Sequence, residues 1–523
     1  MKSYQKHLTD TKSFGENLPI NYRPTMRSSA IFPLIVQKDK IDSVYTFMGY
    51  WLRKRNIKLV TALINIRNEL GDKIKILNYE INSTKTYVLR GKDFFSKVPK
   101  LFYGSLEIEI FSGVDMVFPY PTITFALRGL NGMTFVHTSG RVYNNFDDLK
   151  SNSEVDVAET GFDILVGKDY SPFFSFVNGP IPIKKSTLEI ELIDHNDNHL
   201  LQKRKIKNIP PYGLVWINIL KKNFNFKKLV GTKLTVKIKH NLKGFFPRFI
   251  CGNIYRNFSD ISLTHSYYDN STVNEPDSVY KNPSKISFYD SIFAIPFDQS
   301  FDDIELAIYP NFSFSPTTLS FELFDFDGNF IKTSQTKIRI SDGSNKLIYL
   351  SVFKLFKNSE LLSKKGMVKV IVDGNGAVPS RMKFGLNLSK VKKKNNLPSN
   401  ICFNAIVPNK KYLHKPGTFR WCPIFSSSFQ KIYLHNTSFV KKGFGNAKLK
   451  LELCREIDSN KLKWTINLKE NCSIEIINKK SKKISLFLKG SIGWITIQSS
   501  IPFISGYYVT DFNKGVIGAD HIF

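Results

Sequence analysis

Three histidines stand at one recurring place in this chain. His137, His265 and His521 follow the glycines Gly104, Gly231 and Gly490 by 33, 34 and 31 residues, and each has small or polar neighbours: Thr138 and Ser139, Thr264 and Ser266, and Asp520. An imidazole titrates near neutrality, so beside a carboxylate or hydroxyl it can move a proton or ligate a metal. His137, His265, His521 and Asp520 are therefore the catalytic candidates. A histidine that closes each of several similar domains by bonding to a loop would recur in the same way. Repetition favours that structural role, since function is a property of a site and fold-supporting groups are needed in every domain.

Other chemistries lack their signatures. Zinc takes three or four ligands, Asp520 and His521 supply at most two, and distant residues such as His195, His199 or His240 would have to converge on them. Neither a metal nor a cofactor is expected. No serine stands in a G-x-S-x-G elbow. The glycine clusters at Gly374 to Gly376 and Gly443 to Asn446 are too short to cradle a phosphate. Asp325 to Asn329 (DFDGN) resembles part of a calcium loop but lacks the distal glutamate and flanking helices, so a hairpin turn is expected.

Two sets of residues have the character of ligand contacts. Arg248 and Arg381 follow prolines at matching places, and a guanidinium there can grip a carboxylate, sulfate or phosphate with its planar fork, or brace the next strand by an ion pair. Tyr50 and Trp51 beside Arg53 combine ring faces with positive charge, a pairing that holds bases or sugars. The same residues also suit a core edge with cations reaching from its rim.

The elements that must position these residues repeat as well. The glycine, an alternating strand, a proline-containing turn and the histidine recur in one order from Gly104, Gly231, Gly366 and Gly490, although Ser399 or Asn400 takes the histidine place in the third copy. Upstream of the last three glycines, Leu188 to Leu220, Leu319 to Val352 and Leu449 to Ile477 each read as a strand, a polar turn and a returning strand. Leu63 to Leu89, turning at Gly71-Asp72, is the first counterpart. Farther upstream an opening strand contains Asn436, matched to Asn311 and less closely to Asn178. Strands about every ten residues, punctuated by Gly, Pro and Asn, predict an all-β tandem array of about four antiparallel β-sandwiches, immunoglobulin-like or jelly-roll-like, with few short helices. The expected division is an amino-terminal arm over 1–40 and repeats over 41–165, 166–285, 286–412 and 413–523. Ser43 to Val60 and Leu355 to Leu362 are the short runs expected to be helical.

Composition agrees. A chain of 523 residues is too long for one ordinary core, and 44 Phe with 22 Tyr suit half-buried pleated surfaces. Five dispersed cysteines lack paired metal or redox spacing. No apolar run reaches signal-peptide or membrane-spanning length, so a soluble, cytoplasmic protein is expected. With 75 Lys and Arg against 44 Asp and Glu the formal charge is +31, which favours nucleic acid, anionic lipid or acidic polysaccharide as partners. The basic runs Lys203 to Lys207, Lys221 to Lys228, Lys390 to Lys394 and Lys479 to Lys483 are spread along the chain, which argues against one dedicated groove. The function expected is non-enzymatic recognition or assembly, with acidic glycans or other polyanions as ligands. The alternatives are an enzyme with an interdomain site built on the repeated histidines, and a nucleic-acid binder.

Overall fold

The computed structural model describes residues 25–116, 121–137, 141–142, 161–194, 199–219, 231–240, 245–246, 248–255, 258–266, 279–281, 288–309, 316–340, 347–356, 365–379, 382–390, 399–405, 419–437, 440–441, 445–502, 504–510 and 516–523. Among the described residues the structure is mostly strands (62%), in antiparallel sheets, with three helices, which establishes an all-β, multidomain class.

The longer strands fall into four successive sets of eight. The first set is β1 (Arg27–Gln37), β2 (Ile41–Met48), β3 (Val60–Asn68), β4 (Lys73–Ile81), β5 (Thr86–Arg90), β6 (Phe102–Phe111), β7 (Thr124–Arg128) and β8 (Met133–His137). The second is β9 (Gly161–Leu165), β10 (Tyr170–Val177), β11 (Ile183–Ile193), β12 (His199–Ile209), β13 (Leu214–Asn218), β14 (Lys233–Lys239), β15 (Ile250–Tyr255) and β16 (Ile261–His265). The third is β17 (Ser291–Phe297), β18 (Asp303–Ile308), β19 (Thr317–Asp325), β20 (Phe330–Thr333), β21 (Ile348–Ser351), β22 (Gly366–Asp373), β23 (Lys383–Ser389) and β24 (Ser399–Asn404). The fourth is β25 (Phe419–Phe425), β26 (Gln430–Asn436), β27 (Ala447–Arg455), β28 (Lys461–Leu468), β29 (Ser473–Ile477), β30 (Ile492–Ser499), β31 (Ile504–Thr510) and β32 (Gly518–His521). Helices α1 (Tyr50–Lys54), α2 (Val352–Leu355) and α3 (Lys482–Leu488) interrupt them.

One strand order serves all four sets. The fourth set has sheets β25-β30-β27-β28 and β29-β26-β31-β32, and the second and third reproduce both orders strand for strand. The first set does so too, except that β1 also pairs with β2 and fuses the sheets into one. Alternation explains the two-layer build. On β28 the residues Lys461, Lys463, Thr465 and Asn467 are exposed while Leu462, Trp464 and Ile466 between them are half-buried, the period-2 pattern of a strand with one solvated face. The chain gathers into two compact units, Met1–Leu130 with Phe135–Tyr268, and Asn131–Thr134 with Asp269–Phe523. Within the first, Phe162, Phe174, Leu188, Leu234 and Phe249 belong to the core of the second set. Within the second, one buried cluster runs from Phe293 and Phe321 through Phe384 to Tyr433 and Tyr507, so the third and fourth sets share a core.

Four sequence readings change. Residues 27–37, read as part of an arm, are β1, paired along ten positions with β6. Ser43 to Met48 is strand rather than helix, and the helical part of that run is only Tyr50–Lys54. Ser43 to Met48 is buried on both faces, which removes the alternation that marks a strand. The second expected helix shifts upstream to Val352–Leu355, with residues 357–364 outside the described set. The recurring glycine is two different positions. Gly104, Gly366 and Gly493 sit where a Cβ would lie 2.1, 1.9 and 2.6 Å from the carbonyl oxygens of Arg67, Phe324 and Cys454 on the adjacent strand. Gly231 and Gly490 instead have φ of +87° and +82° with open space around them, turn positions that need a left-handed backbone.

Candidate functional site

The histidines reach their places through register. Ser175 lies opposite Ile250, which lies opposite His265; Tyr433 lies opposite Tyr507, which lies opposite His521. Ser175 and Tyr433 each precede an asparagine, Asn178 or Asn436, by three residues, so the two histidines occupy one position of the shared topology. Asn178 donates from Nδ2 to the Ile181 and Pro210 carbonyls at 2.9 Å, and Asn436 to those of Leu468 and Lys469 at 3.0 Å. These amides tie down the turn between the fourth and fifth strands, which accounts for their recurrence. Asn311 lies outside the described residues.

Both imidazoles bond locally. His265 is buried, and its Nδ1 lies 2.8 Å from the carbonyl oxygen of Ser266. Nδ1 of His521 lies 3.0 Å from the carbonyl oxygen of Ile522. A carbonyl only accepts, so each Nδ1 carries the proton and each Nε2 is the basic nitrogen. Asp520 is buried, and its Oδ1 accepts the His521 amide N–H at 2.8 Å. In the first unit the rings of His137 and His265 meet edge to face, with centroids 4.7 Å apart. In the third set Asn400 donates to Asn387 at 2.6 Å, Tyr309 donates to Asn400 at 3.2 Å, and Asn387 donates to Glu305 at 3.1 Å. By the register that places His265 and His521, counted from Asn311 in sequence, the third set runs from Ile308 through Phe384 to Phe403. Phe403 rather than Ser399 or Asn400 therefore stands at the histidine place, and the Asn400 bonds belong to a different position.

The ligand candidates are placed less openly. Tyr50 and Trp51 lie on α1, 3% and 0% exposed, with ring centroids 4.5 Å apart, while Arg53 is half-buried. Their rings belong to the core and present no stacking face to solvent. Arg248 is half-buried just before the core residue Phe249. Arg381 lies outside the described residues.

Sequence reading missed two buried charge clusters. In the second unit, Asp298 follows β17, and its Oδ2 accepts from Nζ of Lys431 at 2.9 Å and from the Tyr433 hydroxyl at 2.5 Å. Lys431 also meets Glu475 at 2.9 Å, and Lys365 meets Glu475 at 3.0 Å. The Asp298 side chain is 0% exposed and that of Lys431 3%. Burial pushes the Asp298 carboxyl up, but the charge of Lys431 and the hydrogen bonds from Tyr433, Lys431 and the Ser300 amide hold it down at about 2. The Tyr433 hydroxyl is raised well above its ordinary range by burial and by Asp298.

In the first unit, Arg67 pairs with Glu107 at 3.0 Å, Asn65 donates to Glu109 at 2.9 Å, Arg27 pairs with Glu109, and the Arg67 guanidinium stacks 3.9 Å from the Tyr212 ring centroid. Burial and the neighbouring Glu109 raise the Glu107 carboxyl, against the pull of Arg67. Glu107 and Lys369 hold equivalent places, since each lies two residues beyond the partner of a strand proline, Pro33 or Pro296. The duplicated position keeps a buried charge while reversing its sign. Alternation hid these charges: in SLEIEIF Glu107 and Glu109 alternate with Leu106, Ile108 and Ile110 and read as an outward polar face, whereas this strand and QKIYLHN are buried on both faces. The cluster of the first unit links neighbouring strands of one sheet, β1, β3 and β6, whereas that of the second unit links the third set to the fourth. Lys365 is their most exposed member in the second unit, with a side chain 41% exposed.

No protein-family model matches the chain, and no curated protein matches it. Twelve chains among solved structures match. They include a calcium-binding mutant of Bacteroides uniformis beta-glucuronidase 2, 12% identical, covering 47% of this chain and 26% of that one, with a TM-score of 0.11. At that score the likeness carries no argument about fold or activity.

Proposed function

We propose that the chain is a non-enzymatic recognition or assembly protein whose cationic surface takes polyanionic ligands, with acidic glycans the favoured class. The observation that carries this reading is the use made of the recurring polar residues. Asn178, Asn436, His265 and His521 all spend hydrogen bonds on nearby backbone carbonyls, a structural use of the same positions in two of the sets. The lysines remain as the exposed chemistry, and a charge of +31 draws polyanions from any direction.

Binding to a sulfated polysaccharide, followed by calorimetry across a salt series, tests the proposal. Affinity is expected to fall steeply and linearly on logarithmic axes, because ion release drives it. No binding at low salt, or affinity indifferent to salt, would refute it. Duplex DNA run in parallel distinguishes the nucleic-acid alternative, which requires tighter binding to DNA than to the glycan.

The enzyme reading draws on one observation, the contact between His137 and His265. Titration of both rings by NMR tests it. A working acid–base pair would show coupled titrations near neutrality, whereas two independent, ordinary curves would remove its support.

A further inference from the structure

The outward face of α3 breaks the pattern of the surface around it. Residues 479–490 read KKSKKISLFLKG, with five lysines and no acidic residue. Ser481 caps the helix by accepting from the Ile484 amide, while Ile484 and Leu488 are buried and anchor it. The opposite face, spaced three and four residues apart as one side of a helix requires, carries Lys482, Lys483, Leu486 and Lys489, all exposed. Leu486 is 64% exposed in the middle of this stripe, the most exposed of the large apolar side chains among the described residues.

A second apolar side chain is tied to it. Ile457, 55% exposed, stands at the turn between β27 and β28. Arg455, at the end of β27, donates to both Asp458 and the Phe487 carbonyl, and its guanidinium lies 4.7 Å from the Phe487 ring centroid. That clamp holds the turn against the last turn of α3 and neutralises Asp458, leaving Glu456 as the other carboxylate of the turn. Lys461 and Lys463 are occupied by Glu452 at 3.2 and 3.5 Å. The lysines of the 479–489 stretch have no such carboxylate beside them in sequence.

We infer that α3 with the Ile457 turn is a docking site for an anionic phospholipid surface. Lysines alone would suit any polyanion. A leucine projecting from among them, with an isoleucine on a clamped neighbouring turn, instead matches a surface that offers phosphate and carboxylate headgroups above hydrocarbon. The lysines would lie among the headgroups while Leu486 and Ile457 enter the acyl boundary. This inference does not depend on the acidic-glycan reading.

The test is co-sedimentation of the full chain with vesicles of phosphatidylcholine alone and of phosphatidylcholine with phosphatidylserine, beside binding to heparin. The wild type is expected on the anionic vesicles only. Lys482→Gln with Lys483→Gln should weaken that binding about 25-fold, at about five-fold per lysine near a charged surface. Leu486→Ser should weaken it about ten-fold through lost apolar burial and leave heparin binding unchanged. Leu486→Trp should keep binding and shift its fluorescence to the blue on anionic vesicles. Absence of vesicle binding, or Leu486→Ser binding vesicles like the wild type, would overturn the inference. Heparin binding that survives such a result would leave the glycan reading standing.

Discussion

Asp298 is the residue whose removal tests the energetic account most directly. Its carboxylate, shut away from solvent, is what makes a buried Lys431 tolerable. Asp298→Asn keeps the shape and the Ser300 amide bond but turns an amide NH2, a donor, toward Lys431 and the Tyr433 hydroxyl, and it leaves the ammonium with Glu475 at 2.9 Å and the Ser300 hydroxyl at 3.0 Å. Breaking a buried pair from one side costs about 3 to 5 kcal/mol, and the remaining carboxylate places this case near about 3. The pH dependence gives an independent figure. A carboxyl held at about 2 instead of its ordinary 3.8 contributes about 2 kcal/mol of stability, fully present above its unfolded pKa and lost as pH falls from about 4 through about 2. Urea unfolding followed by the fluorescence of Trp421 and Trp494 reads both quantities. The variant's midpoint should drop by about 1 M near neutrality, and the gap to wild type should close as pH falls from about 5 to about 2.5. An unchanged midpoint, or a gap of constant size across that range, would show that the cluster does not hold the third and fourth sets together as described.

Further substitutions probe the repeats. Asn436→Ala strands the carbonyls of Leu468 and Lys469 and should cost about 2 to 3 kcal/mol in thermal or urea unfolding. Asn436→Asp should not rescue it, because a carboxylate cannot donate. Gly366→Ala places a methyl 1.9 Å from the Phe324 carbonyl oxygen and should cost about 3 kcal/mol or more. Gly490→Ala, at φ +82° in open space, should cost only about 1 kcal/mol. Equal effects at the two glycines would refute the distinction between a packed strand position and a turn.

Strand order was partly legible because hairpins are local. β27 and β28 announce themselves by alternation around a polar turn at Asp458 to Asn460, and β3 and β4 around Gly71-Asp72. β1 and β2 were hidden because their residues are buried on both faces, which removes the alternation that marks a strand. The two glycine roles were merged for a related reason: sequence spacing cannot tell a residue that admits a neighbouring carbonyl from one that admits a positive φ.

What the sequence determined by itself is the repeating β plan, since side-chain period, turn chemistry and the recurrence of Asn and His depend on residues close along the chain. Which polar residues are spent on backbone, and which charges are sealed together, was decided only by tertiary packing. Asp298 and Lys431 are 133 residues apart and Arg67 and Glu107 are 40 apart, and no local rule selects such partners. Burial strengthens their attraction by excluding water, and the pairing follows from tertiary placement: Arg67 and Glu107 meet across neighbouring strands of one sheet, Asp298 and Lys431 between the third and fourth sets.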